Sequence, residues 1–403
     1  MNYRDMLEKQ NPDKIIIIED GNTVTYGQML KLAEQERKGL KKEGLAFIRR
    51  RTIVEELAAF IACQGSTSVP VLISDMVSER DMETLKGTEV PEYAVMGVVT
   101  SGTTGGHKVL FRTYESWADF FPCQNKIFSM TGDTVLFAQG SLAFTGNLNL
   151  YMALFSVGGI VVATKRFEPR YWYSLIQEYG ADTIYLIPAK MFALCRAVKS
   201  PCTGVKYFVT GSQSFGRQEL NRVKKCFPKM EVTLYYGSSE ASYITYLHGK
   251  DMTEDSSLVG WAFPQVEVTI RENVFYVDSR CGIIGMEHPF CTNDLGHMDA
   301  EGKFYFDGRQ DDMLNVNGRK CSAYVIEQAI RKEVDVLEIM VKTEREMDKD
   351  VLVAFYERRE KFAAVADVKK SLKRVLPEQQ IPKKFIHVKQ LPRTDSGKVK
   401  RNF

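Results

Sequence analysis

No two of the eight cysteines stand in CxxC spacing; they scatter over positions 63, 123, 195, 202, 226, 281, 291 and 321. The five histidines, at 107, 248, 288, 297 and 387, are dispersed as well. Neither a structural zinc site nor a disulfide framework finds support in that pattern. A reduced, cytoplasmic compartment fits best. Excess charge is also missing. Lys and Arg number 54 against 51 Asp and Glu, a net charge of +3. Charge therefore gives no case for nucleic acid or an anionic membrane as partner. No apolar run is long enough for a membrane span, because the longest, Leu148 to Ala163, carries glycine, serine and asparagine. The opening MNYRDMLEKQNPDK is polar and shows no signal peptide. Internal repeats and low-complexity tracts are absent too.

What is present is ordinary in bulk: 403 residues, 44% hydrophobic and 26% charged. That length suits two or three domains, or one large and one small. KIIIIEDGNTVTY predicts two short strands around an Asp-Gly-Asn turn. The next segment has helical spacing through Met29, Leu30, Leu32, Ala33 and Leu40, with Gly44 as its stop. AVMGVVTSG is a strand running into a glycine loop. TVLFAQ, GGIVVAT, DTIYLI, VKYFVTG and EVTLYYG are further strands, with helices between them in EPRYWYSLIQEYG, PAKMFALCRAVKS and GRQELNRVKKCFP. The alternation argues for an α/β layered domain with a largely parallel sheet, whose ligands sit beyond the strands' C-terminal ends. After about Thr253 short strands and turns take over, as in VEVTIRENVFYVDS. From about Met313 helices and strands form a compact α+β unit. The polar join is DGRQDDMLNVNGRK.

Five stretches carry chemistry. TSGTTGGHK, Thr100 to Lys108, cannot build core. Its glycines let backbone N–H groups approach a ligand, its hydroxyls add donors and Lys108 adds a positive charge, which together suit a polyphosphate. Walker A fails, because His107 and Val109 flank the lysine. Read alone, the stretch is equally a surface loop. In LYYGSSEAS, Tyr236 can cover a flat base and Glu240 can hold Mg²⁺ through oxygen. In TNDLGHMDAEGKFYFDGRQDD, Asp294 and Arg309 are expected in loops flanking a strand pair, where a carboxylate can accept both ribose hydroxyls. GRQDDMLNVNGRK and LPRTDSGKVKR complete the set. The last reads alone as a basic tail.

In this order and spacing the stretches resemble the motifs of the adenylate-forming superfamily: acyl- and aryl-CoA synthetases, stand-alone adenylation domains and firefly luciferase. TSGTTGGHK is similar to TSGTTGxPK, YGSSE to YGxTE and TNDLG to TGDLG. GRQDDMLNVNGRK is similar to GRxDDxIKxxGxR, and LPRTDSGKVKR to PxTxxGKxxR. VTYGQMLKLAEQERKGL resembles the N-terminal helix, so the likeness spans nearly the whole chain.

The resemblance implies a large N-terminal domain of layered α/β sheets with a small β-barrel-like part, residues 1–309. A hinge at 310–312 and a small mobile α+β domain, 313–403, would follow. It implies attack of a carboxylate on the α-phosphate of ATP, release of pyrophosphate, and transfer of the acyl group to a thiol. The first step is positioning plus electrostatics. On this reading Thr100, Ser101, Gly102, Thr103, Thr104, Gly105 and Lys108 close over the β- and γ-phosphates. Tyr236 stacks on adenine, with Gly211 and Gly237 beside it. Ser239 touches the α-phosphate, Glu240 holds Mg²⁺, and Asp294 and Arg309 grip the ribose. Lys398 bridges carboxylate and phosphate. Asp311 is the hinge about which the small domain turns between half-reactions, and Gly318 borders the thiol's tunnel.

Several positions depart from the pattern. His107 replaces a proline, Asn293 a glycine and Asn315 a lysine; Ala323 and Val325 replace a proline and a glutamate. The chain is also shorter than the family norm, mostly before the glycine loop and between Glu240 and Asp294. GSLAFTGNLNL places Phe144 and Gly146 in the acyl pocket, and TGSQSF adds Ser212. No aspartate there could pair an α-amine, so an aryl or short to medium acyl acid is favoured over an amino acid. The thiol is that of coenzyme A or of a carrier protein's phosphopantetheine. An inactive nucleotide-binding protein is the alternative of another class.

Overall fold

The computed structural model describes residues 1–40, 43–101, 107–334, 336–346, 349–358, 364–393 and 399, with backbone only at 101, 337 and 358. Among these, thirteen strands form one continuous sheet. Its heart is parallel, in the spatial order Glu231–Ser238, Tyr207–Gly211, Thr183–Tyr185, Val135–Gln139, Ile160–Thr164 and Ile15–Glu19. These strands are near-continuous Val, Ile, Phe and Leu because both faces are covered. On one face lie helices Pro169–Glu178, Pro188–Ala197 and Arg217–Cys226, which bury Trp172, Leu175, Met191, Leu194, Leu220 and Val223. On the other lies Thr145–Ser156, a helix buried throughout from Asn147 to Phe155, with Leu148, Leu150, Met152 and Phe155 in a second cluster.

The expected first hairpin is present, Ile15–Glu19 against Asn22–Thr25. The following helix ends at Arg37, short of the expected stop at Gly44. Gly39 follows just beyond the C-cap Lys38, where glycine is a poor helix former, and the chain leaves through i→i+3 turns closed by the Gly39 and Leu40 N–H groups. A separate four-stranded sheet holds Gly44–Ile48, Ser68–Leu72, Met96–Ser101 and His107–Arg112, the last two as an antiparallel hairpin. Between residues 258 and 309 the strands are antiparallel, as the sequence predicts, whereas in the C-terminal unit Lys384–His387 pairs in parallel with Lys349–Arg358.

The C-terminal unit has its own hydrophobic cluster, built on Ile326, Ile330, Val341, Leu352, Val368 and Leu372. It meets the large unit through polar contacts and an edge-on ring contact of Tyr324 with Phe306 at 5.0 Å. Ser214 and Tyr324 share a hydroxyl hydrogen bond of 2.8 Å, Gln328 donates to Ser214 at 3.1 Å, and Ser322 donates to the Asp307 carbonyl at 3.0 Å. All eight cysteines are free thiols. Among the described residues no helix is long and apolar enough to cross a membrane.

Candidate active site

A cleft of about 2490 Å³ opens beyond the C-terminal ends of the parallel strands and is closed on one side by the C-terminal unit. That is the place where an open α/β sheet offers its loops to a ligand. The volume exceeds the several hundred Å³ of a typical small-molecule site, so the cleft has room for more than one reactant.

One end is built on the Glu231–Ser238 strand. Tyr236 lies between the rings of Phe275 and Phe306, at 5.3 and 5.8 Å, and its hydroxyl donates to Asp294 Oδ2 at 2.5 Å. Burial beside this carboxylate holds the phenol well above its ordinary pKa. Arg309 Nε forms an ion pair with the other oxygen, Asp294 Oδ1, at 3.1 Å. The sequence placed Asp294 and Arg309 in loops. Instead they are directly opposed residues of the paired strands Phe290–Met298 and Phe304–Arg309. Cross-strand pairing brings an opposite-charge pair together without a loop. The preceding residue, Asn293, has φ +57°. Asparagine is among the few residues that accept this left-handed geometry, so it can stand where the family pattern has glycine.

Ser239 and Glu240 follow at the end of the same strand and line the cleft. Sequence reading missed what fixes them. Arg112 is 1% exposed and carries no carboxylate partner among its hydrogen bonds. It donates to the carbonyls of Cys281 at 2.7 Å, Ser239 at 2.6 Å and Glu240 at 3.3 Å. Its guanidinium lies 5.3 Å from the Trp117 ring. Burial pulls its pKa down to about 10. Arg112 ends the strand His107–Arg112 after the buried run Val109, Leu110 and Phe111, and nothing in that run announces its role. Gly237 stands at a bulge where any Cβ would collide with the Ser242 carbonyl oxygen.

Thr100 and Lys108 face each other across the Met96–Ser101/His107–Arg112 hairpin and both line the cleft. Lys108 Nζ is 3.6 Å from Glu240 Oε1. The Thr100 hydroxyl is buried without a hydrogen-bond partner. His107 pairs with Ser101 in the ladder, and its Nδ1 is 3.7 Å from Asp81. Gly102, Thr103, Thr104 and Gly105 lie outside the described residues, as does the side chain of Ser101. Lys398 does too. Its described neighbours, Arg393 and Val399, form a bridge to each other, and both line the cleft.

The other end of the cleft is lined by Phe144, Gly146 and Ser212. Phe144 caps the helix Thr145–Ser156 and stacks on Tyr185 at 6.5 Å and 9°. Gly146 lets the Tyr185 hydroxyl approach the backbone. That hydroxyl pairs with Tyr235 at 2.7 Å. Ser212 is exposed with φ +67°.

Two glycines differ from expectation. Gly211 is buried and does not line the cleft, because the Tyr235 ring lies 2.6 Å from where its Cβ would be. Gly318 is exposed, away from the cleft lining, and a Cβ there meets nothing within 4 Å. It sits in the two-residue turn of the Met313–Val316/Arg319–Ser322 hairpin, with Asn317 at φ +51° and Gly318 at φ +86°. An Asn-Gly pair is what such a turn requires. Asp311 is exposed in the short turn Gln310–Asp312 between the two units and lines the cleft.

Magnesium prefers hard oxygen ligands and keeps phosphates or waters among them. The Glu240 carboxylate and the unpartnered Thr100 hydroxyl are such oxygens on the same cleft. No group of three metal-binding side chains occurs among the described residues. The arrangement fits an ion that arrives with a nucleotide rather than one held by a protein cage.

A family model described as AMP-binding enzyme matches residues 87–275. The chain is 26% identical over 384 residues to the uncharacterized acyl-CoA ligase YhfT of Bacillus subtilis (strain 168), covering 90% of this chain and 79% of that protein. It is 26% identical over 324 residues to a putative long chain fatty acid-CoA ligase of Staphylococcus haemolyticus (strain JCSC1435), covering 75% and 68%. Among solved structures, it resembles the o-succinylbenzoate CoA synthetase of Bacillus subtilis in complex with its acyl-adenylate intermediate. The TM-score is 0.84 at 18% identity, over 100% of this chain and 97% of that one. That enzyme has also been solved with ATP and a magnesium ion. The likeness to solved structures speaks for the fold, and the match over residues 87–275 and the ligase relatives for a similarity to AMP-binding enzymes.

Proposed function

We propose that this protein is an AMP-forming acid–thiol ligase. It activates a carboxylic acid with ATP, releases pyrophosphate and passes the acyl group to coenzyme A. One observation carries the reading: the Tyr236–Asp294–Arg309 cluster, the Ser239–Glu240 turn and the Thr100–Lys108 hairpin, far apart in sequence, meet on one cleft. The fit is chemical as well as spatial. Tyr236 and the Asp294–Arg309 pair offer a flat ring and a carboxylate to a nucleoside. Asp294 Oδ2 accepts from Tyr236 and Oδ1 is ion-paired with Arg309, and both oxygens keep lone pairs for a ribose hydroxyl. Lys108 and Ser239 face the space where phosphates would follow. Arg112 holds the Ser239–Glu240 turn rigid, which matters because catalysis of this kind rests on preorganised charge. Glu240 would hold Mg²⁺, which when bound supplies positive charge to the phosphates.

Lys398 is proposed as the cation that joins carboxylate to α-phosphate. Asp311 is proposed as the hinge of a small domain, 313–403, that turns on a body of residues 1–309. The interface supports this, because its hydrogen bonds join serine, tyrosine and glutamine side chains that water can replace. Gly318, away from the cleft lining in the arrangement observed, reaches the thiol path only after such a turn. The acid is placed between Phe144, Gly146, Ser212 and Tyr235. A reducing, cytoplasmic setting accords with eight free thiols.

A panel of carboxylic acids with ATP, Mg²⁺ and coenzyme A tests the reading. AMP, pyrophosphate and an acyl-CoA are expected for at least one acid. A thioester formed on a carrier protein and not on coenzyme A would change the acceptor. ATP binding without turnover on any acid would favour a nucleotide-binding protein. Lys398→Ala should abolish pyrophosphate release yet spare thioester formation from a supplied acyl-adenylate; equal loss of both would sink that residue's role.

A further inference from the structure

The acid end of the cleft contains a lysine that no motif announces. Lys190 opens the helix Pro188–Ala197, directly after the Thr183–Tyr185 strand. That strand lies between Val135–Gln139 and Tyr207–Gly211. Lys190 therefore stands between the loop carrying Gly140 and Phe144 and the loop carrying Ser212 and Gln213. The Gln213 side chain accepts the Ala189 N–H at 3.0 Å, tying the second loop to it. Lys190 Nζ lies 3.5 Å from where a Cβ on Gly140 would be, so the absence of a side chain there leaves the ammonium open to the cleft.

Its partners are few. The ammonium donates to the Gln139 carbonyl at 3.3 Å, and among the described residues no carboxylate lies within ion-pair distance. The other lysines nearby differ: Lys165 pairs with the buried Glu56 at 2.6 Å, and Lys108 faces Glu240 at 3.6 Å. Burial alone draws the Lys190 pKa down to about 8, with no opposing charge to raise it. A largely buried cation without an anion is unfavourable. An incoming anion would relieve that cost and gain a charge-assisted hydrogen bond.

Given the acid activation proposed above, on which this step rests, we propose that Lys190 receives a second carboxylate at the far end of the substrate, so that the favoured substrates are dicarboxylic acids. The spacer between the carboxyls would lie against Phe144 and Tyr235. Two inter-strand steps separate the Lys190 strand from the one bearing Ser239 and Glu240, about 10 Å at the usual strand spacing. A spacer of several carbons is needed to reach across.

The test pairs each dicarboxylate with the monocarboxylate of equal length: adipate with hexanoate, suberate with octanoate, terephthalate with benzoate. In pyrophosphate release, wild type should prefer the dicarboxylate of at least one pair. Lys190→Met should lower its kcat/KM by about tenfold to a hundredfold more than that of its partner. Lys190→Arg, which keeps the charge, should retain most of the preference. Equal use of both members by wild type, or an equal effect of Lys190→Met on both, would overturn the proposal. Calorimetric titration of suberate and octanoate reads binding without turnover. If no acid releases pyrophosphate, adenylation fails on its own. Tighter suberate binding lost in Lys190→Met would still uphold the lysine's role, and indifferent binding would refute it.

Discussion

The two ends of the cleft are built on opposite principles. At the nucleotide end the charged groups already have partners in the protein, the Arg112 Nε excepted. Arg112 has three carbonyls, and Asp294 has Tyr236 and Arg309. At the acid end Lys190 has one long contact to a carbonyl. A group whose partners are internal is held in place before any ligand arrives. One whose partner is missing is completed by the ligand. The contrast assigns the fixed chemistry, which must be the same for every acid, to the first end, and the choice of acid to the second.

Perturbing the two ends should separate them. The largest effect is expected for Arg112→Met, which leaves buried carbonyls unpaired. A loss of about 3–5 kcal/mol in urea denaturation is expected, with pyrophosphate release falling for every acid alike. A stable variant with normal activity would deny Arg112 its positioning role. Gly237→Ala should follow, at about 2–4 kcal/mol, because its Cβ collides with backbone that has no room to move.

Lys190→Met should act with the opposite sign on stability. The folded-state pKa of Lys190 lies near 8 against an ordinary 10.5. Between those values the unfolded chain binds more protons, so stability rises with pH through that window. The buried charge therefore costs stability at neutral pH, and Lys190→Met should gain about 1–3 kcal/mol there while losing the rise above pH 8. A fall in stability at pH 7 would mark Lys190 as structural. The smallest effect belongs to Tyr236→Phe. Loss of one hydrogen bond to Asp294, about 1 kcal/mol, should raise the KM for ATP several-fold and leave the KM for the acid unchanged.

The same division explains what could be read from the sequence. The nucleotide end announces itself, because glycines, carboxylates and lysines in fixed spacing have few other uses when they occur together. The alternating strands and helices were legible from apolar periodicity, down to the Asp-Gly-Asn hairpin. Errors arose where a residue's surroundings are set by distant chain. Asp294 and Arg309 look like loop residues beside Gly296 and Gly308, yet strand pairing opposes them. Gly211 reads as a cleft glycine, but a neighbouring strand's Tyr235 fills the space above it. Gly318 reads as a tunnel wall, and in the arrangement observed its turn holds it away from the cleft lining. Arg112 and Lys190 were invisible. One sits at the end of an apolar strand and the other after a helix-opening proline, and only tertiary packing removes their ordinary partners.

The most direct test of the central claim labels the acid. A carboxylate enriched in ¹⁸O, incubated with the protein, ATP, Mg²⁺ and coenzyme A, should transfer one labelled oxygen to AMP, because the carboxylate oxygen that attacks the α-phosphate leaves with it. Label appearing in orthophosphate alongside ADP would show attack at the γ-phosphate and contradict the account.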